Sequence, residues 1–266
     1  MNNNILIVGA TRGLGASLGA LYSRKPSHHV FGTTRSSAPA SQDPAITWLT
    51  EIDASKPDVG QKLVSQLPAS TKISTAIISA GYFGLETFDN PDWDKQVQMY
   101  TTSAIGPVFM VHHLVKAGLL GEGSKVILVS SEAGSITLRH EKEGGGNFGH
   151  HASKAALNMV GKLLSLDLKA KGITVGLVHP GFMRTEMTKG VGFDKYWDAG
   201  GEFHAKLRLL SPAVTPDEAA QSLASFIDTL DISKTGEFWA PRGPADIGTA
   251  EDILGKDLST PLQLPW

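Results

Sequence analysis

Gly9-Ala10-Thr11-Arg12-Gly13-Leu14-Gly15 sets three glycines among small and basic residues, directly after the apolar run Ile5-Leu6-Ile7-Val8. An apolar run ending in glycine and followed by a helical pattern predicts a strand, a tight turn and a helix N-terminus. Such a turn offers free backbone N–H groups and the positive end of a helix dipole to an anion. The chemistry it suits is pyrophosphate binding. Without a ligand, the same residues would be an ordinary glycine-rich turn. A second gathering of reactive side chains is His140, Glu141, Glu143, His150 and His151. Their spacing matches no rigid metal-ligand pattern, and adjacent His150 and His151 would point about 100° apart on a helix, so no metal site is expected. Ser131 and His150 as a hydrolytic pair lack the Gly-x-Ser-x-Gly elbow that such chemistry uses.

The elements that must position these residues read as an alternation. Strands are predicted at 5–8, 29–34, 46–52, 75–79, 125–130, 173–178 and 236–240. Helices are predicted at 14–23, 57–67, 92–117 and 149–171, with a further start at Thr215-Pro216-Asp217-Glu218, a capping box with proline at the first helical position. Strand–helix alternation from end to end predicts an α/β fold of Rossmann type. It is a doubly wound parallel sheet of about seven strands with helices on both faces, read as one domain over residues 1–266. Two stretches break the rhythm. Residues 139–149 are polar and glycine-rich, a flexible loop by composition. Residues 190–212 carry Phe193, Tyr196, Trp197, Phe203 and Leu207 among glycines and charges. Both follow strand ends, where ligands of such sheets sit, so both are expected to cover the crevice.

With these residues in view, the chain resembles the short-chain dehydrogenase/reductase family, in its carbonyl-reductase-like branch, over almost its whole length. The Gly-x3-Gly-x-Gly spacing is that family's nucleotide loop. Ser79-Ala80-Gly81 stands where the family has Asn-Ala-Gly, and Asp53 where it contacts adenine. Pro180-Gly181 with Thr185 matches its nicotinamide-side turn. The resemblance implies a dinucleotide held by Gly9, Thr11, Arg12, Gly13, Leu14, Gly15, Arg35, Asp53, Ala80, Gly81, Lys154, Pro180, Gly181, Thr185 and Met187. It implies catalysis by Ser131, Lys154 and the residues at two altered positions. His150 stands at the tyrosine of Tyr-x3-Lys, and Ser103 at the asparagine of the proton relay. Phe83, Phe148, Phe182, Phe193, Tyr196 and Trp197 are the expected substrate wall, which suits a hydrophobic carbonyl compound.

Arg12 and Arg35 bear on the choice of dinucleotide, because no Asp or Glu lies between them. An acidic residue past the second strand would bind ribose hydroxyls, whereas a guanidinium there pairs with a 2′-phosphate, so NADP(H) is favoured over NAD(H). At position 150 an imidazole replaces a phenol. Its reference pKa of ~6.5 is lowered further by the Lys154 ammonium, so it is expected to be neutral: a poor acid, but a usable base. The expected activity is interconversion of a hydrophobic carbonyl compound and its alcohol, with an altered proton relay. A proton-shift, epimerisation or cyclisation enzyme using His150, and a silent NADP-binding protein, are the alternatives.

Composition narrows the classes. The chain has 266 residues, 41% hydrophobic and 19% charged, with net charge −2 and no cysteine. Disulfides and thiolate chemistry are excluded, and no basic face argues for nucleic acid. No apolar run approaches the ~20 residues of a membrane span, and no signal peptide is read, so a cytoplasmic location is expected. The resemblance implies a homodimer or homotetramer through the helices at 92–117 and 149–171, with Val108, Met110, Val111, Leu157, Met159 and Val160 available for pairing.

Overall fold

The computed structural model describes residues 3–37, 43–198 and 212–266. Strand β1 (Asn3–Val8) alternates its side chains between the two faces of the sheet, and both faces are apolar. Ile5 and Ile7 join one buried cluster with Leu14 and Leu18; Leu6 and Val8 join another with Leu63 and Met110. A strand buried on both sides requires layers on both sides. Helix α1 (Gly13–Ser23) and helix α7 (Pro216–Thr229) cover one face. Helices α2 (Val59–Ser65), α4 (Gly106–Lys116) and α5 (Phe148–Leu168) cover the other.

The sheet has eight strands in the order β3-β2-β1-β4-β5-β6-β7-β8. These are β2 (His28–Thr33), β3 (Ile46–Leu49), β4 (Ile73–Ile78), β5 (Lys125–Val129), β6 (Thr174–Val178), β7 (Glu237–Ala240) and β8 (Leu262–Gln263). The first seven run parallel, and β8 pairs antiparallel with β7, matching Trp239 with Gln263. The order reverses between β1 and β4, and a crevice opens at such a switch point beyond the strands' carboxyl ends. The sheet is thus the expected doubly wound one, with one more short strand than the sequence pattern showed.

Two differences touch the crevice. The helix expected at 92–117 is interrupted. Helix α3 (Trp93–Tyr100) passes through one wide π turn, Thr101–Ile105, before α4 begins. The capping carboxylate of Asp92 receives Lys95 N–H at 3.0 Å, which fixes where α3 starts. Residues 139–149 are not featureless either. Glu141–Glu143 form a 3₁₀ turn with a capping box on His140, and Asn147 exchanges hydrogen bonds with Glu86. The short helices α6 (Glu186–Gly190) and α8 (Ala250–Leu254) follow β6 and β7. The capping box predicted at Thr215 is present, with Glu218 receiving the Thr215 N–H at 2.8 Å.

Candidate active site

The crevice at the switch point is a cavity of about 390 Å³, a size that suits a small-molecule ligand. Its first end is built by the glycine loop. Gly9 has φ of +88°, and a Cβ there would lie 2.8 Å from Ala80 Cα, so only glycine lets β1's end touch β4's end. A Cβ on Gly15 would lie 2.1 Å from Gly9 O, so the first turn of α1 can close on the loop only without one. Arg12 is extended at the N-cap and gives no side-chain cap. The first-turn N–H groups of α1 therefore lack a side-chain acceptor and remain available to an anion. Thr11, Arg12, Gly13, Leu14 and Arg35 line this end, with Asp53, Ala80 and Gly81 beside them. Burial pushes the Asp53 carboxyl up. The Ser55 N–H and hydroxyl outweigh it, with Arg35 and Lys56 nearby, and hold the carboxyl below its usual value. This donor set, an uncapped helix start with two guanidinium groups, fits a phosphorylated dinucleotide.

The second end brings together residues that follow β4, β5 and β6 with residues of α5. Lys154 is 9% exposed, and its Nζ donates to Val129 O at 2.8 Å, so α5 is pinned to β5 through this side chain. Burial lowers its ammonium to a pKa of about 8. His150 lies one helical turn earlier and packs against Phe83 at a tilt of 32°, ring centroids 4.2 Å apart. Burial first, then the Lys154 and His151 charges, lower its pKa to about 3, against a smaller upward pull from Glu132. The imidazole is neutral at every ordinary pH. Its Nδ1 is buried and has no hydrogen-bond partner.

Ser131 follows β5, and its hydroxyl donates to Glu132 Oε2 at 2.5 Å. Ala133 N–H is shared between that same oxygen, at 2.7 Å, and Ser131 Oγ, at 3.2 Å. Glu132 N–H in turn donates to Nδ1 of buried His179 at 3.2 Å. Burial works against the Glu132 carboxylate, but His179, the Ser131 hydroxyl and the Ala133 N–H keep its pKa below the usual carboxylate value. Glu132 and His179 were not singled out in the sequence. Glu132's position directly after Ser131 was the only signal, and its orientation is set by β6, whose end holds His179.

Pro180, Gly181, Thr185, Met187, Phe83, Phe182 and Phe193 complete the wall. The other expected residues lie elsewhere. Gly15 packs behind the loop. Ser103 sits in the π turn, 2% exposed, with its Oγ unpartnered, and does not reach the cavity. Phe148 is two residues before His150, about 200° around the helix, and lies in a neighbouring groove with Leu85 and Phe88. Tyr196 packs on Phe193 at 6.2 Å, and neither it nor Trp197 lines the cavity. Phe203 and Leu207 lie outside the described residues. Among the described residues no group of three or more His, Asp or Glu side chains is placed to hold a metal ion. Arg139 instead pairs with Glu143 and touches His151 Nε2 at 2.6 Å. No described helix is long and apolar enough to cross a membrane.

Comparison with known proteins agrees with this geometry. The chain is 27% identical over 237 residues to 1-hydroxy-2-glutathionyl-2-methyl-3-butene dehydrogenase of Rhodococcus sp. (strain AD45), covering 89% of this chain and 95% of that protein. An uncharacterized oxidoreductase of Saccharomyces cerevisiae is 24% identical, covering 88% and 93%. Among solved structures, NADPH-bound carbonyl reductase from chicken fatty liver superposes with a TM-score of 0.72 at 22% identity, covering 90% and 96%. The carbonyl reductase Sniffer of D. melanogaster superposes with a TM-score of 0.73 at 22% identity, covering the full length of both chains. A family model described as short chain dehydrogenase matches residues 3–195, most of the chain and every strand from β1 to β6. The chain therefore belongs to the short-chain dehydrogenase/reductase family.

Proposed function

We propose that this protein is an NADP(H)-dependent oxidoreductase that interconverts a hydrophobic alcohol and its carbonyl compound. One observation carries the reading. A single cavity joins the uncapped N-terminus of α1, with Arg12 and Arg35, to Ser131, His150 and Lys154 under an aromatic wall. When bound, the nicotinamide dinucleotide would supply or take up the hydride. Arg12 and Arg35 would hold the 2′-phosphate, and the glycine loop the pyrophosphate. Two structural relatives were solved with NADPH, while a 4-hydroxyisoleucine dehydrogenase was solved with NADH. The preference here therefore rests on the two arginines.

Lys154, fixed by Val129 O and partly deprotonated near pH 8, would hold the ribose hydroxyls. Phe83, Phe182 and Phe193 would exclude water from the reacting carbon and select an apolar substrate. His150, being neutral with a pKa of about 3, is no acid and only a weak base at ordinary pH, and its buried Nδ1 has no hydrogen-bond partner. Its packing against Phe83 makes it part of the substrate wall. Ser131 is the polar group left to meet the substrate oxygen.

Subunit pairing through α4 and α5 belongs to the same proposal. Met110, Val111 and Leu157 are consumed by the core, so they are not free to pair. Ile105, Phe109, Met159, Leu163 and Leu166 are exposed instead and form the apolar surface that such pairing would cover.

Titration with NADPH and NADH, followed by nicotinamide fluorescence, tests the reading. Tighter binding of NADPH, and its consumption with a hydrophobic ketone such as acetophenone or its formation with 1-phenylethanol, is expected. Binding of neither dinucleotide refutes it. Product formed with no net change in nicotinamide would favour a proton-shift enzyme.

A further inference from the structure

The hydrogen bonds around Ser131 decide which oxidation state of substrate the cleft is wired to receive. A hydroxyl has one donor and two acceptor positions. The Ser131 proton is committed to Glu132 Oε2 at 2.5 Å, because an ionised carboxylate only accepts. One Ser131 lone pair takes the Ala133 N–H at 3.2 Å. What remains for a ligand is one lone pair, an acceptor. A carbonyl oxygen is also an acceptor and would meet it without a shared proton. An alcohol hydroxyl is the matching partner.

Glu132 is built to keep this arrangement. Its Oε2 also receives Ala133 N–H at 2.7 Å, and its own N–H is held by His179 Nδ1 at 3.2 Å. Its Oε1 takes no hydrogen bond from a described residue, and the side chain, 31% exposed, opens onto the cavity. A proton received at the carboxylate therefore has a route out to water. His150, the residue at the family's phenol position, has a buried Nδ1 with no partner, so no proton leaves the ring through that atom.

The geometry points to a Ser131–Glu132 dyad that binds the alcohol form of the substrate and removes its hydroxyl proton. The inference rests on the oxidoreductase reading above and adds a direction and a proton route. The substrate O–H bond breaks and its proton goes to Ser131 Oγ as the Ser131 proton passes to Glu132 Oε2. The O–H electron pair becomes the second bond of the new carbonyl. The carbinol hydrogen leaves with its electron pair to an oxidised nicotinamide dinucleotide. The carboxylate ends as a carboxylic acid and returns its proton to solvent.

Two inert probes, both with NADP⁺ present, separate the states. 2-Phenyl-2-propanol has no carbinol hydrogen to lose, and acetophenone cannot be reduced by the oxidised coenzyme. Calorimetry on the parent is expected to show the tertiary alcohol binding about tenfold more tightly, the size of one mismatched hydrogen bond to a charged network. In Glu132→Ala the Ser131 proton is released and this preference is lost or reversed. Glu132→Gln keeps the shape and an acceptor oxygen but no basic carboxylate. It is expected to keep the binding preference while kcat for 1-phenylethanol oxidation falls about 100-fold or more with little change in KM. The acid limb of the parent's pH profile is expected to vanish with it. Equal binding of both probes by the parent, or undiminished turnover and the same acid limb in Glu132→Gln, overturns the dyad and leaves the oxidoreductase reading standing. A parent that holds NADP⁺ but neither probe overturns both, and so does one that does not bind NADP⁺.

Discussion

Replacing His150 with phenylalanine should make the protein more resistant to acid. The folded protein refuses a proton at this ring down to a pKa of about 3, mainly because the ring is buried and secondarily because Lys154 is close. In the unfolded chain the same imidazole titrates near ~6.5. Above that value neither state is protonated, and the group has no pH-dependent effect. As pH falls from 6.5 toward 3, the unfolded chain takes up a proton that the folded one does not, and stability is lost at ~1.4 kcal/mol per pH unit. By pH 4.5 the full linkage is about 2.7 kcal/mol. The ring keeps some opening to the cleft, so about 1.5–2.5 kcal/mol is expected. Urea denaturation of parent and His150→Phe at pH 7 and pH 4.5, without dinucleotide, isolates this term. Whatever the substitution does to packing is present at both pH values and cancels in the difference. The parent should lose about 1.5–2.5 kcal/mol more than the variant between the two pH values. Parallel losses would mean that the imidazole is solvated and protonates freely, and the argument for its neutrality would fail.

Lys154→Met should show the opposite end of the scale. Burial lowers the ammonium to about 8 from an unfolded value near 10.4, so its penalty is full below pH 8 and fades as pH rises toward 10. Parent and variant denaturation should therefore converge in the parent's favour by about 2 kcal/mol between pH 7 and pH 9.5; an unchanged difference would refute the buried charge. Arg35→Ala should weaken NADPH binding at least tenfold and leave NADH within about threefold, read by fluorescence titration. Equal losses for both would remove the 2′-phosphate contact. Gly15→Ala should abolish dinucleotide binding, because its Cβ falls 2.1 Å from Gly9 O; retained affinity would show that the loop can open at no cost. Glu86→Gln should cost about 2–3 kcal/mol in denaturation and speed amide exchange at Gly149. The buried carboxylate receives Asp92 N–H, Gln96 Nε2 and Gly149 N–H, and an amide cannot satisfy all three. Exchange at Gly149 unchanged from the parent would refute the role of Glu86 in fixing the start of α5.

Much of the fold was readable because local patterns and the global layers demand the same residues. Ile5 to Val8 is apolar at every position because β1 has helices on both faces, and the glycines that follow are the ones that β4 and α1 leave room for. The π turn at Thr101–Ile105 had one signal in the sequence: Gly106-Pro107 follow it, and Pro107, lacking an N–H, cannot bond back to Ser103 O. Strand β8 is two residues long and exists only by its register against Trp239 and Ala240. Phe148 was misplaced for a reason within reach of the sequence: a residue two before His150 cannot share its helix face. Glu132 was out of reach. A carboxylate after a serine at a strand end most often points to water. Here β6, some fifty residues on, supplies His179 to hold its N–H and turn the carboxylate onto Ser131.

The charges of the cleft explain why an imidazole is tolerated where a phenol is expected. A phenol keeps its proton beside an ammonium and can share it; an imidazolium there would put two like charges into one buried space. The protein avoids that cost by leaving His150 neutral: burial first, and the Lys154 charge second, lower its value. Neutrality solves the electrostatic problem, but with a pKa of about 3 it leaves position 150 a weak base and no acid. The anion that could take up the proton chemistry cannot stand against His150 itself without raising it, and Glu132 pulls in that direction only weakly. It stands instead against Ser131, bonded through the hydroxyl that meets the substrate. The substitution at 150 and the carboxylate at 132 are thus two parts of one arrangement. Restoring tyrosine at 150 alone would place a phenol beside a serine whose proton is already spoken for. Reductase activity should therefore return fully only when His150→Tyr is combined with Glu132→Ala, and a complete rescue by His150→Tyr alone would break the link.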